Sequence, residues 1–238
     1  MKTILKKIKN KLKSRSKASM FNDINTIYAK ELGKTENPII FDVGSNRGQS
    51  VLRFNSILNN PFIHCFEPAK SAFNALASHN FKNVKLNQIA LSDKHSSEVF
   101  YEYDKSTNSS FFQPNYNSDW YKRKRDNTTD GKVVKDQYNV ETMTLDKYAK
   151  KNQILSIEIL KIDTQGFEPN VLTGAEKFLA NRQIKFIETE VTFTDAYEKD
   201  ISFSSIESLL FENYRVVNIT PRNMENKTMF ADVLFERR

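Results

Sequence analysis

The segment Pro38-Ile-Ile-Phe-Asp-Val-Gly-Ser-Asn-Arg-Gly48 constrains the fold of this chain more than any other. Its apolar run ends at an acidic residue and a glycine, which is typical of a buried parallel strand that leads into a tight turn. Residues 48–58 then have the pattern of a helix. A glycine at such a turn lets the backbone approach a ligand closely. The segment therefore predicts a Rossmann-like strand-turn-helix unit with a ligand site at the turn.

Strands and helices continue to alternate along the chain. Two further strands, at about 62–66 and 84–89, are separated by a helix over 70–79. This order predicts a parallel sheet with right-handed crossovers. The remaining predicted strands are 157–162, 184–191, Tyr214–Ile219 and Ala231–Glu236, and the remaining predicted helices are 21–33, one that starts at Leu145, 168–180 and 203–213.

An acidic residue at the end of the second strand completes the predicted ligand site. Glu67 lies 19 positions after Gly48, where a carboxylate can accept hydrogen bonds from both ribose hydroxyls of an adenosine. A nicotinamide dehydrogenase would carry G-x-G-x-x-G at the turn, but here Asn46 occupies the middle of G-x-N-x-G. An amide, which both donates and accepts, suits the zwitterionic methionine end of S-adenosylmethionine better than a diphosphate. The spacing thus favours S-adenosylmethionine over a dinucleotide.

Charge is unevenly distributed along the chain. The formal net charge is +7, but segment 1–20 carries eight basic residues and no acidic one, which leaves about −1 for residues 21–238. The body therefore disfavours a nucleic-acid partner. Residues 1–14 are predicted to form a basic amphipathic helix that makes peripheral contact with an anionic membrane, and a solvated, frayed terminus is the alternative. We divide the chain into this N-terminal segment and one domain over 21–238.

The cysteine content indicates the compartment. Cys65 is the single cysteine and lies in an apolar run, so it has no partner for a disulfide within the chain. A reducing, cytoplasmic setting is therefore expected. No stretch approaches eighteen consecutive apolar residues, and the N-terminus lacks the apolar region of a secretory signal. The sequence predicts a cytoplasmic protein, with the inner face of the membrane as its site if the basic helix binds lipid.

Residues 104–139 have a looser pattern, rich in Ser, Asn, Asp and Lys. Long loops in compact domains are usually functional or disordered, so we predict an irregular insertion near the acceptor site. Its basic run, Lys122–Arg125, is interpreted either as a solvated face or as an electrostatic footprint for RNA. The adjacent Trp120 and Tyr121 are predicted to offer a flat apolar surface to a sugar ring.

Seven short stretches share the residues and the order of one known family. They are Phe41–Gly48, Phe66–Pro68, Ala90–Asp93, Asn108–Ser110, Thr144–Asp146, Leu160–Glu168 and Val171–Ala175. Through them the chain resembles the FkbM-type methyltransferases over about residues 37–236. The resemblance implies a class I methyltransferase fold: an α/β structure with a mostly parallel seven-stranded sheet, helices on both faces and an antiparallel C-terminal strand. It also implies S-adenosylmethionine as methyl donor and O-methylation of a small-molecule or glycan acceptor, often a sugar or another secondary metabolite.

Carried over position by position, the resemblance assigns the turn after the first strand and the end of the second strand to the cofactor. Ala90 and Leu91 are then expected near the adenine. Gln165 stands where many members of the family have Glu, so that position lacks a carboxylate here. The predicted cofactor-binding residues are Asp42, Gly44, Ser45, Asn46, Gly48, Glu67, Pro68, Ala90 and Leu91.

Two acidic residues are candidates for the chemistry, because a hydroxyl must lose a proton when it is methylated. Asp163 ends the predicted fourth strand, at the edge where ligands bind in open α/β sheets, and bracing a loop is its alternative role. Glu190 shares one face of the fifth strand with Glu188 and either faces the acceptor or pairs with a core Lys or Arg. A Mg²⁺ site formed by Asp163 and Glu190 is a further alternative. We predict Asp163 and Glu190 as catalytic residues and no bound metal.

Three functions are consistent with these features. The first is an O-methyltransferase that acts on a saccharide, a glycolipid or a secondary metabolite. The second is an RNA-directed methyltransferase that uses segment 1–20 and Lys122–Arg125 to hold the RNA. The third is a non-catalytic scaffold that binds the cofactor, and the intact cofactor motifs argue against it.

Overall fold

The computed structural model describes residues 22–199, 202–224 and 227–238. The predicted basic helix over 1–14 lies outside these residues. In the described part of the chain, no helix is both long and apolar enough to cross a membrane. The α-helices are α1 (Asn22–Leu32), α2 (Gln49–Ile57), α3 (Lys70–Ser78), α4 (Asp119–Asp126), α5 (Leu145–Lys151), α6 (Glu168–Thr173), α7 (Glu176–Ala180) and α8 (Phe203–Leu210).

The strands form two sheets. They are β1 (Ile39–Val43), β2 (Phe62–Phe66), β3 (Val84–Asn87), β4 (Ala90–Leu91), β5 (Ser97–Tyr103), β6 (Val134–Met143), β7 (Ile157–Ile162), β8 (Ile184–Thr192), β9 (Tyr214–Met224) and β10 (Lys227–Arg237). The main sheet has seven strands in the order β3-β2-β1-β7-β8-β10-β9. Its strands are parallel from β3 to β8, whereas β10 is antiparallel to both neighbours. This sheet confirms the predicted class I methyltransferase fold.

The strand order reverses between β1 and β7. The chain leaves β1 towards β2 and β3, whereas β7 lies on the other side of β1 and leads to β8. Val43, the last residue of β1, is paired with Ile162, the last residue of β7. In open α/β sheets, ligands bind outside the carboxyl ends of the strands at such a switch point. The fold therefore directs attention to the turns that follow these two residues.

Both faces of the main sheet are covered by helices, which is why its strands are nearly continuous apolar runs. Helices α1, α2 and α3 cover one face, and α5 to α8 cover the other. Buried residues of the first layer include Ile24, Tyr28, Val51, Phe54 and Leu76, and those of the second include Leu145, Val171, Phe178, Ile206 and Leu210.

The segment 104–139, expected to be irregular, contains a helix and most of a strand. Helix α4 is capped by Ser118, whose Oγ accepts a hydrogen bond from Tyr121 N at 3.0 Å, and its last turn carries Arg123–Arg125. Cations there complement the helix dipole. Strand β6 pairs with β5 and β4 to form the second sheet. The polar composition concealed both elements because their stability comes from long-range pairing and burial.

Other predicted boundaries also differ from the structure, and the helix predicted over 203–213 ends at Leu210. The helix predicted over 168–180 is divided into α6 and α7 at Gly174, where a Cβ atom would lie 2.0 Å from the carbonyl oxygen of Ser92. A side chain at this position would collide with that carbonyl, so glycine, a poor helix former, stands where the helix is interrupted. The last two strands extend further than predicted, and β9 continues past Ile219 to Met224. That extension contains Arg222, which lines the cavity at the carboxyl ends of the parallel strands.

Candidate active site

A cavity of about 290 Å³ opens at the carboxyl ends of β1, β2, β7 and β8. This is the switch point of the sheet, where the sequence predicted a ligand site. One end of the cavity is apolar and the other is charged. The predicted cofactor residues that line it are Gly44, Ser45, Asn46, Glu67, Pro68, Ala90 and Leu91.

The turn after β1 depends on Gly44. This residue has a φ of +81°, and a Cβ atom added to it would lie 2.0 Å from the carbonyl oxygen of Asp163. Two backbone hydrogen bonds, each of 2.9 Å, hold this turn to its neighbours. Gly44 N donates to Phe66 O at the end of β2, and Asp163 N, after β7, donates to Val43 O. Glycine combines a left-handed backbone with the absence of a side chain. The turns after β1 and β7 can therefore meet at the cavity.

Glu67 follows β2 and lines the cavity. Its Oε2 accepts a hydrogen bond from Asn46 N at 2.7 Å, and its Oε1 accepts one from Ala69 N at 2.8 Å. Burial raises the pKa of this carboxyl to about 7, although the two backbone donors oppose the shift. Each oxygen retains a second lone pair, so Glu67 can still accept hydrogen bonds from a ligand.

Asp42 and Gly48, which were also predicted to bind the cofactor, lie behind the cavity wall. Asp42 is fully buried, and its Oδ1 lies 3.3 Å from Lys161 Nζ. Because side chains alternate along a strand, Asp42 projects from one face of the sheet and not from its edge. At Gly48, which has a φ of +89°, a Cβ atom would lie 2.8 Å from Phe81 Cε2. Both residues support the turn from behind.

Aromatic rings line the apolar end of the cavity beside Ala90 and Leu91. The ring centroid of Phe111 lies 5.1 Å from that of Phe100 and 4.5 Å from that of Phe167. The sequence did not identify these three rings as site residues, because they come from separate segments that meet only through tertiary contacts such as the pairing of Ser110 with Tyr101 of β5. The available signal was the pattern of apolar residues along β5.

Charged side chains from three adjacent strands lie beneath the cavity, and those of Lys161 and Glu188 line it. Asp42, Lys161 and Glu188 lie opposite one another in β1, β7 and β8. Arg53 of α2 donates to the two oxygens of Glu188 at 2.9 and 2.8 Å, and Tyr28 of α1 donates to Oε2 at 2.9 Å. Buried carboxylates require such partners. Arg53 and Lys161 were not predicted, although a lysine inside an apolar strand indicates a buried partner.

The two predicted catalytic residues meet at one side-chain amide. Gln165 Nε2 donates to Asp163 Oδ1 at 2.9 Å and to Glu190 Oε1 at 2.8 Å. All three residues line the cavity. The side chain of Asp163 is 39% exposed, whereas that of Glu190 is 4% exposed. The structure thus brings Asp163 and Glu190 together and adds Gln165 between them.

Arg222 binds the other oxygen of Glu190. Its Nη2 donates to Glu190 Oε2, and its Nε lies 3.3 Å from Asp232 Oδ2. Burial and the charge of Asp163 raise the pKa of Glu190, while the guanidinium of Arg222 opposes that rise. The pairing with arginine that the sequence left open for Glu190 is therefore present. Arg222 was not predicted because it lies beyond Ile219, in the extension of β9.

Glu168 fixes the turn after β7. Its carboxylate accepts hydrogen bonds from Thr164 N at 2.8 Å and from Gly166 N at 3.0 Å, and burial raises its pKa to about 7. In the same turn Gln165 has a φ of 55°, and its carbonyl accepts a hydrogen bond from Ser110 Oγ at 2.8 Å. These contacts hold the backbone that carries the Gln165 amide.

Trp120 does not offer an open surface to a sugar ring, contrary to the prediction. Its residue exposure is 6%, and its ring centroid lies 5.7 Å from that of Tyr197 and 6.4 Å from that of Tyr103. Helix α4 turns it towards the domain, where full burial of a large apolar side chain contributes roughly 1.5–3 kcal/mol. Trp120 therefore belongs to a buried aromatic cluster with Tyr103 and Tyr197.

Neither metal ligands nor a reactive histidine stand out at the site. Across residues 22–199, 202–224 and 227–238, no group of three or more His, Cys, Asp or Glu side chains could hold a metal ion. His64 lies in β2 with its Nδ1 2.8 Å from Tyr148 Oη. Burial and the nearby Lys85 lower the pKa of His64 to about 4, so this side chain is neutral at physiological pH.

The fold and the cavity define a class I methyltransferase. The family model described as the Methyltransferase FkbM domain matches residues 42–216. A curated relative, 2-O-methyltransferase NoeI of Sinorhizobium fredii, is 28% identical over 207 residues, which cover 82% of this chain and 79% of that protein. The chain belongs to the FkbM methyltransferase family, and S-adenosylmethionine is its methyl donor.

Two solved structures resemble the chain at low identity. A precorrin-6y C5,15-methyltransferase of Geobacter metallireducens is 8% identical with a TM-score of 0.44, and the match covers 91% of this chain and 89% of that one. An rRNA methylase of Streptococcus thermophilus is 12% identical with a TM-score of 0.49, and the match covers 90% of this chain and 95% of that one. Likeness at this level carries no information about the acceptor.

Proposed function

We propose that this chain transfers a methyl group from S-adenosylmethionine to a hydroxyl oxygen of a saccharide, glycolipid or secondary-metabolite acceptor. The arrangement of Asp163, Gln165 and Glu190 carries this proposal, because it holds two carboxylates at the charged end of the cavity. A carboxylate at this place can accept the proton that a hydroxyl loses when it is methylated. The name of NoeI, a 2-O-methyltransferase, supports the choice of oxygen as the methylated atom.

The apolar end and the first turn of the cavity suit the cofactor. We assign the adenine to the surface formed by Leu91, Phe100 and Phe111, and the ribose hydroxyls to Glu67. The methionine end is assigned to the turn at 44–46. When bound, S-adenosylmethionine supplies an electrophilic methyl group on a sulfonium. The charged end of the cavity then remains for the acceptor.

The charge of the lining supports this assignment. Five acidic and three basic side chains line the cavity, so its lining is acidic overall. S-adenosylmethionine carries one net positive charge at neutral pH, because its sulfonium and ammonium groups outweigh its carboxylate. Attraction between opposite charges is stronger in a partly buried cavity than in water. The lining therefore complements the proposed cofactor.

Asp163 is the proposed base. Its side chain is the more exposed of the two carboxylates, and its Oδ2 lies 3.7 Å from Lys161 Nζ. Glu190, buried against Arg222, has the proposed role of orienting the acceptor hydroxyl. Methyl transfer is an in-line displacement, so much of the rate enhancement can come from holding the acceptor oxygen in the correct direction.

Segment 1–20 is proposed to hold the enzyme at an anionic membrane. Helix α1 is antiparallel to β8. Near the start of β8, Lys185 Nζ donates to Glu31 O at the end of α1. Further along β8, Glu188 accepts from Tyr28, which lies earlier in α1. At 1.5 Å per residue, the start of α1 lies about 9 Å beyond Tyr28, towards the edge where the cavity opens. Helix α1, which follows segment 1–20 and its eight basic residues in the sequence, therefore begins on that edge. A lipid-linked acceptor could reach the cavity from the same membrane surface.

Isothermal titration calorimetry with S-adenosylmethionine tests the cofactor assignment. The wild type is expected to bind, and Glu67→Ala is expected to weaken binding at least tenfold, because it removes the proposed acceptor of the ribose hydrogen bonds. Glu207→Ala, on the exposed side of α8, is the control and should bind as the wild type does. The assignment fails if a folded wild type does not bind, or if Glu67→Ala binds equally well.

A further inference from the structure

The side-chain amide of Gln165 has all of its hydrogen-bonding groups engaged. A primary amide has two N–H donors, and Gln165 donates to Asp163 Oδ1 at 2.9 Å and to Glu190 Oε1 at 2.8 Å. Its own Oε1 accepts a hydrogen bond from Tyr197 Oη at 3.2 Å. Two carboxylates that approach one another repel unless something between them offsets their charge. The amide provides that link without adding a charge.

The two carboxylates fix which way the amide of Gln165 faces, because each of them accepts a hydrogen bond and only the nitrogen of the amide can donate one. Tyr197 Oη lies 3.2 Å from Gln165 Oε1 and 3.1 Å from the carbonyl oxygen of Asn108, so its single proton is shared between two acceptors. If the amide of Gln165 were flipped, its oxygen would face two carboxylates and its N–H groups would face a hydroxyl. The donor pattern therefore favours one orientation of the amide, while Ser110 Oγ holds the backbone of the same residue by donating to its carbonyl oxygen.

A carboxylate at position 165 would have the opposite effect. Glu190 is already faced by Asp163 from the turn after β7, Glu168 from α6 and Asp232 from β10, and Arg222 from β9 is the cation among these neighbours. Glutamate has nearly the same shape as glutamine, but it would add another negative charge and retain at most one donor when protonated. The residue type at 165 thus controls the charge and the geometry of the pair.

We propose that Gln165 is a positioning residue for methyl transfer, which holds the Asp163 and Glu190 carboxylates side by side at the acceptor end of the cavity. The proposal rests on the proposed O-methyltransferase function. Gln165 acts through the two carboxylates and needs no contact with the acceptor. Tyr197 supports the same arrangement because its hydroxyl lies within hydrogen-bond distance of the amide oxygen.

The test compares Gln165→Glu, Gln165→Met and Tyr197→Phe with the wild type, with Tyr116→Phe as an exposed tyrosine control. Carbon-detected NMR of ¹³C-labelled Asp and Glu side chains follows the titration of Asp163 and Glu190, with S-adenosylmethionine present. Calorimetry follows cofactor binding. Where the wild type methylates any member of a panel of methyl glycosides, its rate is measured against pH.

We expect Gln165→Glu to shift the titration of the carboxylate pair upward by one pH unit or more and to move the acidic limb of the rate profile in the same direction. Gln165→Met is expected to lower kcat at least tenfold, with less than a twofold change in cofactor affinity. Tyr197→Phe is expected to shift the titration of the carboxylate pair upward and to lower kcat, each by less than the Gln165 variants do. The control should match the wild type.

The proposal is overturned if Asp163 and Glu190 titrate in Gln165→Glu and Tyr197→Phe as they do in the wild type. Tyr197→Phe removes a single hydroxyl, so the titration of the two carboxylates in this variant tests the proposal if a Gln165 variant fails to fold. A wild type that binds the cofactor but methylates no glycoside contradicts the proposed acceptor class instead. The NMR titration remains decisive for Gln165 in that case.

Discussion

Lys161 Nζ lies 3.3 Å from Asp42 Oδ1, so a buried ion pair joins β7 to β1 directly beneath the cavity. Burial alone would lower the pKa of this lysine, but Asp42 and Asp163 hold it above its usual value. Lys161 therefore remains charged at neutral pH. The pair couples the stability of the sheet to the position of the turn after β1, where the cofactor is proposed to bind.

Replacing Lys161 by methionine is expected to destabilise the domain, because Asp42 would be left as an uncompensated buried carboxylate. Breaking a buried pair in this way costs about 3–5 kcal/mol. Urea unfolding measures the change, with the exposed Lys34→Met as control. Combining Lys161→Met with Asp42→Asn should restore part of the lost stability. Equal unfolding midpoints for Lys161→Met and the wild type would contradict this role of the pair.

Gly44→Ala is expected to cost more stability than Gly131→Ala. Both glycines have a positive φ, but a Cβ at Gly44 would lie 2.0 Å from the carbonyl oxygen of Asp163, whereas one at Gly131 would meet nothing within 4 Å. The left-handed backbone alone costs alanine roughly 1–2 kcal/mol. We expect about 3 kcal/mol or more for Gly44→Ala, together with loss of cofactor binding. Similar losses in thermal unfolding of the two variants would show that the contact at Gly44 is unimportant.

Cofactor affinity is expected to rise with pH between about 6 and 8. Because the pKa of Glu67 is raised to about 7, its carboxyl is largely protonated below that pH and ionised above it. Only the ionised form offers all of its lone pairs to ribose hydroxyls. Calorimetric titrations at several pH values measure the trend, and Glu67→Gln should abolish most of it. A pH-independent affinity in the wild type would rule out this role for Glu67.

The full-length chain is expected to bind vesicles that contain anionic lipid and to bind neutral vesicles poorly. Each basic residue near such a surface contributes about 1 kcal/mol, so removing residues 1–20 should reduce binding to anionic vesicles more than tenfold. Added salt should weaken the binding of the full-length chain. Vesicle sedimentation measures these differences. If the truncated chain binds equally well, or if the same truncation instead abolishes salt-sensitive RNA binding, the membrane proposal is wrong.

Much of the cofactor side follows from local sequence. The run that ends at Val43 is apolar because both faces of the sheet are covered, and Gly44 marks the turn because the turn after β7 passes so close. Glu67 lies at the end of the next strand for the same topological reason. These positions can be predicted because a strand, a turn and a carboxylate at a strand end are local patterns with a fixed spatial consequence.

The other half of the site depends on contacts between distant segments. Arg222 reaches Glu190 only because β9 extends beside β10, and the polar sequence of that extension gives no sign of it. Phe111 reaches the cavity because the neighbouring Ser110 pairs with Tyr101 of β5. Trp120 was misplaced because an aromatic residue beside a basic run can lie on either side of a helix. Tertiary packing decides each of these cases, and the sequence pattern does not.

Transfer of a labelled methyl group tests the central claim most directly. The purified full-length chain is incubated with S-adenosylmethionine that carries a trideuterated methyl group and with methyl glycosides or an extract of the producing cells, and the products are analysed by mass spectrometry. We predict a trideuteromethyl group on an oxygen of a saccharide or small-molecule acceptor, absent with Glu67→Ala and strongly reduced with Asp163→Asn. Recovery of the label on nitrogen, carbon or RNA, or no transfer by a protein that binds the cofactor, would contradict the account.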